Sequence, residues 1–240
     1  MAASLLLTAC EGLFGGIYDN DKVSDDVETK AGQIYLDASS WSTWNYIDFA
    51  TLDDEEGVEV VVEAIPVDED ASNTTGEGIY TYWFDVFGEG LSKNERRDFR
   101  PTASQPEPDK WTIAIHREVV RTNGCEVYET TLTSMDDLPA SSSAYDNVKF
   151  EADTWSENDT WVDQSAMLSG IIGCQGIYIN KVLSNWYTCE IPPMPPAYTM
   201  NNHVFILRTP EGRYAALQLA NHLSPSGTKC CFTINYKYPY

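Results

Sequence analysis

The sequence predicts an all-β protein, an antiparallel β-sandwich with one or two short helices. Short segments rich in aromatic and β-branched residues recur along the chain, and glycine, proline and asparagine separate them. No long segment shows the hydrophobic period of an amphipathic helix. These observations together favour strands joined by turns.

The N-terminal half contains four predicted strands, at 33–37, 41–49, 58–65 and 79–87. Val58, Glu59 and Val60 alternate in polarity, which is typical of a strand with one exposed face. We expect a long loop over 88–110, because proline recurs through its second half.

The C-terminal half begins with the clearest predicted strand, 111–121. Asn123-Gly124 follows it and is typical of a two-residue hairpin turn, so we expect a returning strand at 125–134. Polar residues predict a loop over 140–163. The remaining elements are a strand at 176–180, a helical turn at 181–187, and a three-stranded meander at 203–209, 214–223 and 229–238.

Composition and charge exclude several classes of function. The chain has 240 residues and a formal net charge of -22, with a sequence pI near 4.2. Such a charge argues against binding to nucleic acid or to an anionic membrane surface. Hydrophobic residues make up 42% of the chain, which is enough for a globular core. We expect a single β-domain over 32–240.

The N-terminus resembles the end of a bacterial lipoprotein signal. Residues 5–10 read LLLTAC, an apolar run that ends in a cysteine, but no basic segment precedes it. We interpret 1–10 as a truncated signal segment and Cys10 as the acylated residue. Acyl chains would anchor the protein, and the glycine-rich and acidic segment 11–31 would be a flexible tether.

The other cysteines give no metal site from their spacing. They are Cys125, Cys174, Cys189, Cys230 and Cys231. Their number is odd, so at least one thiol stays free or pairs between molecules. None lies in a Cys-x-x-Cys motif or in a Cys/His array with zinc spacing.

Two methionines lie outside any apolar periodic segment. Met167 precedes Ser169-Gly170, and Met194 has two prolines on each side. The thioether is a soft, neutral donor that can bind haem iron or copper(I). A packing role under a loop is the alternative for each. Met200 and His203 are rival ligands, whereas we expect His116 to have a structural role and His222 to be solvated.

Several segments together resemble the HmuY-like haemophore family. They are QIYLD at 33–37, WNY at 44–46, WTIAIHR at 111–117, RTNG at 121–124, NHVFILRT at 202–209, GRYAALQL at 212–219 and TINY at 233–236. The resemblance implies an outer-membrane lipoprotein, exposed at the cell surface and in some members also released. Such proteins are not enzymes. They take haem from host haemoproteins and pass it to a TonB-dependent outer-membrane receptor.

The same resemblance implies which residues bind the cofactor, haem (iron protoporphyrin IX). Loops at one end of the sandwich clamp the haem, and two axial side chains bind its iron. These are two histidines in the founding member and two methionines in several relatives. The corresponding region here has Met167 and Met194, so the chain is similar to the methionine-ligating branch. Homo-oligomers are a further expectation.

The sequence is also compatible with two other functions. Five tryptophans could stack on sugars in a surface glycan-binding lipoprotein module: Trp41, Trp44, Trp155, Trp161 and Trp186. A glycoside hydrolase is the weaker alternative, because no pair of carboxylates stands out among the many in this acidic chain.

Overall fold

The structure, a computed structural model, describes residues 27–40, 43–49, 62–66, 79–85, 90–96, 107–163, 171–190 and 196–240. Strands dominate these ranges, and every pairing between them is antiparallel. The strands are β1 (Gln33–Asp37), β2 (Thr43–Ile47), β3 (Val62–Pro66), β4 (Ile79–Asp85), β5 (Gly90–Arg96), β6 (Ile113–His116), β7 (Val119–Thr122), β8 (Glu126–Glu129), β9 (Glu151–Ala152), β10 (Thr154–Asp163), β11 (Ile171–Ile179), β12 (Tyr187–Glu190), β13 (Ala197–Met200), β14 (Val204–Arg208), β15 (Tyr214–Leu223) and β16 (Lys229–Lys237).

The strands form four sheets. The main sheet has the order β1-β16-β15-β14-β8-β9, and the inner sheet has the order β3-β2-β6-β7. The side sheet has the order β10-β11-β4-β5, and β12 pairs with β13 alone. One short helix, α1 (Lys181–Ser184), and two 3-10 turns at Met135–Asp137 and Ser142–Tyr145 complete the described elements. The predicted all-β sandwich is therefore confirmed.

The main core lies between the main sheet and the inner sheet. Ile113 and Ile115 of β6 are completely buried there, opposite Phe205, Leu217 and Phe232 of the main sheet. Burial of such side chains contributes roughly 1.5–3 kcal/mol each. This face therefore supplies the largest share of the hydrophobic stabilisation.

The inner sheet is also buried on its opposite face. Trp44, Tyr46 and Ala114 form a second cluster with Ile177 and Ile179 of β11. Burial on both faces explains why all four residues of β6 are buried, without the polar alternation of a half-exposed strand.

A buried arginine completes this second cluster. The guanidinium carbon of Arg121 lies 5.0 Å from the ring centre of Trp44 and 4.8 Å from that of Trp111. Arg121 also donates a hydrogen bond of 2.6 Å to the Tyr46 hydroxyl, and its Nη2 lies 3.3 Å from Glu107. Cation–π contacts and the ion pair together stabilise the charge away from water.

Several predicted elements are confirmed. β1 matches the predicted strand 33–37, and β14, β15 and β16 form the predicted meander. Helix α1 lies within the predicted helical turn, where the Asn180 side chain accepts a hydrogen bond of 2.9 Å from the Leu183 amide. An asparagine cap of this kind satisfies one of the free amides at a helix start.

The predicted hairpin at Asn123-Gly124 is wrong. Residues 111–121 are not one strand, because the chain turns at Arg117-Glu118 between β6 and β7, where Arg117 has a φ of 51°. The turn at Gly124, with a φ of 69°, instead carries the chain from β7 to β8 in the main sheet. Arginine and glutamate are not turn formers, so the pattern concealed the real hairpin.

Two predicted loops are also wrong. The segment 88–110 contains β5, and the segment 140–163 contains β9 and β10. Among the strands that the structure describes, β5 and β10 lie at the two edges of the side sheet. An edge strand tolerates polar and charged residues, so it lacks the hydrophobic alternation on which the prediction depended.

Replacing Ile115 with alanine should test the main core. We expect the free energy of unfolding to fall by about 2–5 kcal/mol, because the residue is completely buried and the change leaves a cavity. Urea denaturation measures the loss. The control variant, Thr131→Ala, changes an exposed residue and should alter stability by less than about 0.5 kcal/mol. Equal effects of the two changes would contradict the assignment of this core.

Candidate ligand-binding cleft

A cleft of about 350 Å³ is lined by residues of the β6–β7 turn, of helix α1 and of two hairpins. β10 and β11 form the first hairpin, and β12 and β13 form the second hairpin, of which β12 lines the cleft. The residues that line the cleft include Glu118, Val119, Asp159, Ile179, Lys181, Tyr187 and Cys189. Its volume lies within the range of pockets for small molecules.

One part of the cleft wall is apolar. Val119 and Ile179 are buried members of the second core cluster. Tyr187 is completely buried and stacks on Tyr198, with ring centres 5.4 Å apart and planes at 16°. Since these side chains are held by the core behind them, the wall is rigid.

The lining of the cleft also contains a carboxylate close to an arginine. The Glu118 side chain is 15% exposed, and its Oε2 lies 3.6 Å from Arg117 Nε. No hydrogen bond to this buried oxygen is found within the described residues. Burial raises the pKa of Glu118, and the attraction of Arg117 offsets part of that effect.

The positive φ of Arg117 lets its side chain reach back into the fold. Nη1 donates a hydrogen bond of 2.7 Å to the Ser39 carbonyl, and Nη2 donates one of 3.3 Å to the Tyr198 hydroxyl. A non-glycine residue in this region of backbone space is strained, and such contacts compensate the strain. They fix the turn that presents Glu118.

An exposed ion pair lies at the cleft rim. Lys181 Nζ is 4.0 Å from Asp159 Oδ2, and both side chains are about half exposed or more. Water screens such a pair, so it adds little to stability. Exchange of Asp159 for an anionic group of a ligand would therefore cost Lys181 little free energy.

Two thiols lie at or near the second hairpin: Cys189 belongs to β12, and Cys230 of β16 contacts Tyr187. Burial and the charge of Glu118 raise the pKa of Cys189 to about 11, and burial raises the pKa of Cys230 to about 12. Both are therefore neutral thiols at pH 7 rather than metal-binding thiolates. Within the described residues, no group of three or more His, Cys, Asp or Glu side chains is placed to hold a metal ion.

The sequence model of the HmuY protein family matches residues 40–236. The chain belongs to the HmuY family. Among curated proteins, none matches this chain.

Several solved structures share the fold. A candidate HmuY-like heme-binding protein of Bacteroides vulgatus has 28% identity and a TM-score of 0.63, covering 89% of this chain and 97% of the relative. A candidate lipoprotein of Bacteroides fragilis has 29% identity and a TM-score of 0.62, covering 90% and 92%. The apo HmuY analog of Tannerella forsythia, at 21% identity and a TM-score of 0.57, covers 88% and 96% and shows the fold alone.

The three predicted site residues lie outside the described residues. Met167 falls between the end of β10 at Asp163 and the start of β11 at Ile171. Met194 falls between the end of β12 at Glu190 and the start of β13 at Ala197. Both therefore belong to the connections of the two hairpins that wall the cleft of this HmuY-family chain. Cys10 precedes the described residues.

The rival ligands have other contacts. Met200 packs against the main core from β13. His203 Nδ1 lies 2.8 Å from Glu129 Oε1, and Asn201 donates a hydrogen bond of 2.7 Å to the same oxygen. These contacts secure the end of the second hairpin to β8, so they account for both residues without a ligand.

Two of the three histidines have a role in packing. His116 is 1% exposed, and its Nδ1 lies 3.0 Å from the Thr43 carbonyl. Its ring packs in a tilted arrangement against Trp44, with ring centres 5.1 Å apart, as expected for a structural residue. The prediction that His222 is solvated is only partly right, because its ring packs on Tyr187 with ring centres 5.0 Å apart. Burial and then the charge of Lys229 lower the pKa of His222.

Trp44, Trp155 and Trp186, the candidate tryptophans whose side chains the structure describes, do not form the exposed set that a glycan-binding surface needs. Trp44 and Trp186 are completely buried, which contradicts their assignment as sugar-stacking residues. Trp155 is 36% exposed and packs edge-on against Tyr178. Trp41 lies outside the described residues, as does the side chain of Trp161.

The sequence did not indicate Glu118, Lys181 and Cys189 as site residues. They come from a turn, a helix and a strand that are distant in the chain, and only the folded structure brings them to one cleft. Arg117 and Glu118 are not typical turn residues, so the sequence did not show that the chain turns there. A turn recognised after His116 would have pointed to Glu118.

Alkylation should show that Cys189 is a protonated thiol. At pH 7.5 we expect iodoacetamide to label Cys189 about 100-fold more slowly than an ordinary thiol, because a thiol with a pKa of about 11 has little thiolate. The rate should rise about tenfold for each pH unit up to that value. Mass spectrometry of the peptide containing Cys189 measures the rate, and the same peptide labelled in urea is the control. Equal rates at pH 7.5 in folded and unfolded protein would contradict the expected pKa.

Proposed function

We propose that this chain is a haem-binding lipoprotein, a haemophore that holds haem through Met167 and Met194. One observation carries the proposal: the connections that contain these methionines belong to the two hairpins that line the cleft. Met167 and Met194 would each supply a thioether sulfur to the iron of a haem held by these connections.

Family membership supports the choice of ligand. The Bacteroides vulgatus relative is described as HmuY-like and heme binding, and it shares 28% identity with this chain over nearly its full length. Proteins of the family bind a ligand rather than catalyse a reaction. We propose the same for this chain.

The described part of the cleft fits a porphyrin in its chemistry. Val119, Ile179 and Tyr187 give an apolar wall for the macrocycle. Lys181, at the rim, offers a cation to a propionate, and its exposure leaves it able to move toward one. Haem pockets combine such a wall, a charged rim and axial donors.

Met167 and Met194 would hold the haem iron as soft donors. Thioether sulfur is a softer and less basic donor than imidazole nitrogen, so methionine ligation favours ferrous iron over ferric iron more than imidazole ligation does. The two prolines on each side of Met194 restrict its backbone, and this reduces the entropy lost on binding.

The proposed cellular role follows from the family and from Cys10. Acylation at Cys10 would hold the protein at the outer membrane, with its β-domain at the cell surface, and release would give a secreted form. No helix in the part of the chain that the structure describes is long and apolar enough to cross a bilayer. The haem would come from host haemoproteins and pass to a TonB-dependent receptor, which serves iron acquisition.

A haem titration of methionine variants tests the ligands. Wild-type protein, mixed with haemin in air or after reduction with dithionite, should give a shifted and sharpened Soret band. Met167→Ala and Met194→Ala should each weaken binding of reduced haem at least about tenfold, or about 1.4 kcal/mol. The double variant should lose the low-spin spectrum, because both axial sulfurs are gone.

Met135→Ala is the matched control, since Met135 lies in a 3-10 turn and packs against the outer face of the main sheet. Its spectrum should equal that of the wild type. If Met200→Ala abolishes the spectrum and Met167→Ala leaves it intact, the proposed ligand pair is wrong. If the wild type gives no spectral change in either oxidation state, haem is not the ligand.

A further inference from the structure

The cleft contains a charge that a haem-binding site has no evident use for. Glu118 lines it, yet haem carries two propionates, which are carboxylates at neutral pH. Like charges in a partly desolvated site repel more strongly than in water. An anionic ligand therefore binds less well when Glu118 is ionised.

The groups around Glu118 come from every element packed against it. In its own turn the neighbour is Arg117, at 3.6 Å. Its charge also acts on groups of the second hairpin and the main sheet, which are Tyr187, Cys189, Tyr198 and Cys230. Asp159 and Lys181 line the same cleft and form their own ion pair.

Most of these groups keep one charge state near neutral pH. Burial raises the pKa of both tyrosines and both cysteines, so all four are uncharged there. Burial raises the pKa of Glu118 above its ordinary value of 4.5, and the attraction of Arg117 offsets part of that effect. The charge of Glu118 can therefore change as the pH rises through its folded pKa.

We propose that Glu118 selects the ligand of this cleft by charge: its carboxylate opposes a carboxylate-bearing ligand, its protonated form admits one, and binding takes up a proton. This inference rests on the proposed function, because the carboxylates in question are the haem propionates. The proton balance is complete, since the proton comes from solvent and resides on the Glu118 carboxyl while the ligand is bound. A rise in pH then releases the ligand.

His222 could produce a similar pH dependence and must be separated from Glu118. Its ring packs on Tyr187, and the nearby Lys229 lies over Tyr198 at 4.4 Å. Protonation of His222 in acid would add a positive charge and also favour an anion. Replacing Glu118 alone distinguishes the two groups.

Haem affinity, measured over the whole pH range in which the protein stays folded, tests the inference. In the wild type, the Kd should rise by up to tenfold per pH unit above the pKa of Glu118. In Glu118→Gln this rise should disappear, and at the highest pH of the series the variant should bind haem about tenfold more tightly than the wild type. Parallel pH profiles in the two proteins would overturn the inference and leave haem binding itself standing, with His222 as the next group to test.

Two matched controls sharpen the experiment. Asp159→Asn removes one negative charge from the same cleft, but at an exposed, ion-paired position, so the pH profile should keep its slope. Haem dimethyl ester lacks the propionate charges, so the wild type and Glu118→Gln should bind it equally well. If Asp159→Asn also abolishes the slope, the effect belongs to net charge and not to Glu118.

Proton uptake can be measured without any variant. Calorimetry of haem binding in buffers of different ionisation enthalpy should show uptake of up to one proton by the wild type in the range where the Kd changes. No uptake at any pH at which the protein is folded would overturn the inference even if Glu118→Gln failed to fold. Absence of haem binding altogether would remove the proposed function first, and this inference with it.

The protein without ligand gives a further readout. Because the folded pKa of Glu118 is raised, the folded state holds a proton that the unfolded chain loses near pH 4.5, and stability falls as pH rises through the folded pKa. Glutamine does not titrate. The Tm of Glu118→Gln relative to the wild type should therefore be higher at pH 8 than at pH 4.5, and a constant difference would count against the inference.

Discussion

Burial of the inner sheet on both faces is the constraint on which the rest of the structure depends. Ile113 and Ile115 face the main sheet, while Ala114, together with Trp44 and Tyr46 of β2, faces β11. The inner sheet therefore fixes the main sheet on one side and the first hairpin on the other. Because interiors pack as densely as crystals, neither neighbour can shift without opening a cavity. The position of the cleft follows from this stack.

The β6–β7 turn transmits that rigidity to the cleft. It lies at the end of the most buried hairpin, and Arg117 secures it through the Ser39 carbonyl and the Tyr198 hydroxyl. Glu129 likewise secures the second hairpin, because it accepts hydrogen bonds from Asn185 and Asn201. A HmuY-family chain can thus vary the hairpin connections, where the ligand donors are proposed, while the frame beneath them stays fixed.

The electrostatics of the cleft differ from those of the chain as a whole. A net charge of -22 suits solubility, but it opposes any anionic ligand. Inside the cleft the thiols and phenols are neutral, and Lys181 and Arg117 balance Asp159 and Glu118. Such a balanced site can accept a carboxylate-bearing ligand after a single protonation. Uniform acidity of the surface therefore does not decide what the cleft binds.

The sequence by itself determined the fold class, the C-terminal meander and the short helix, because turn residues and strand composition act locally. Its motifs also indicated the family. Met167 and Met194 stood out because they lie outside any apolar periodic segment. Only the tertiary structure decided the pairing of β6 with β7, the edge strands β5 and β10, and the meeting of Glu118, Lys181 and Cys189 in one cleft. The physical reason is that long-range packing can override local preference: burial on both faces removes the alternation of β6, and an edge position removes the need for it in β10.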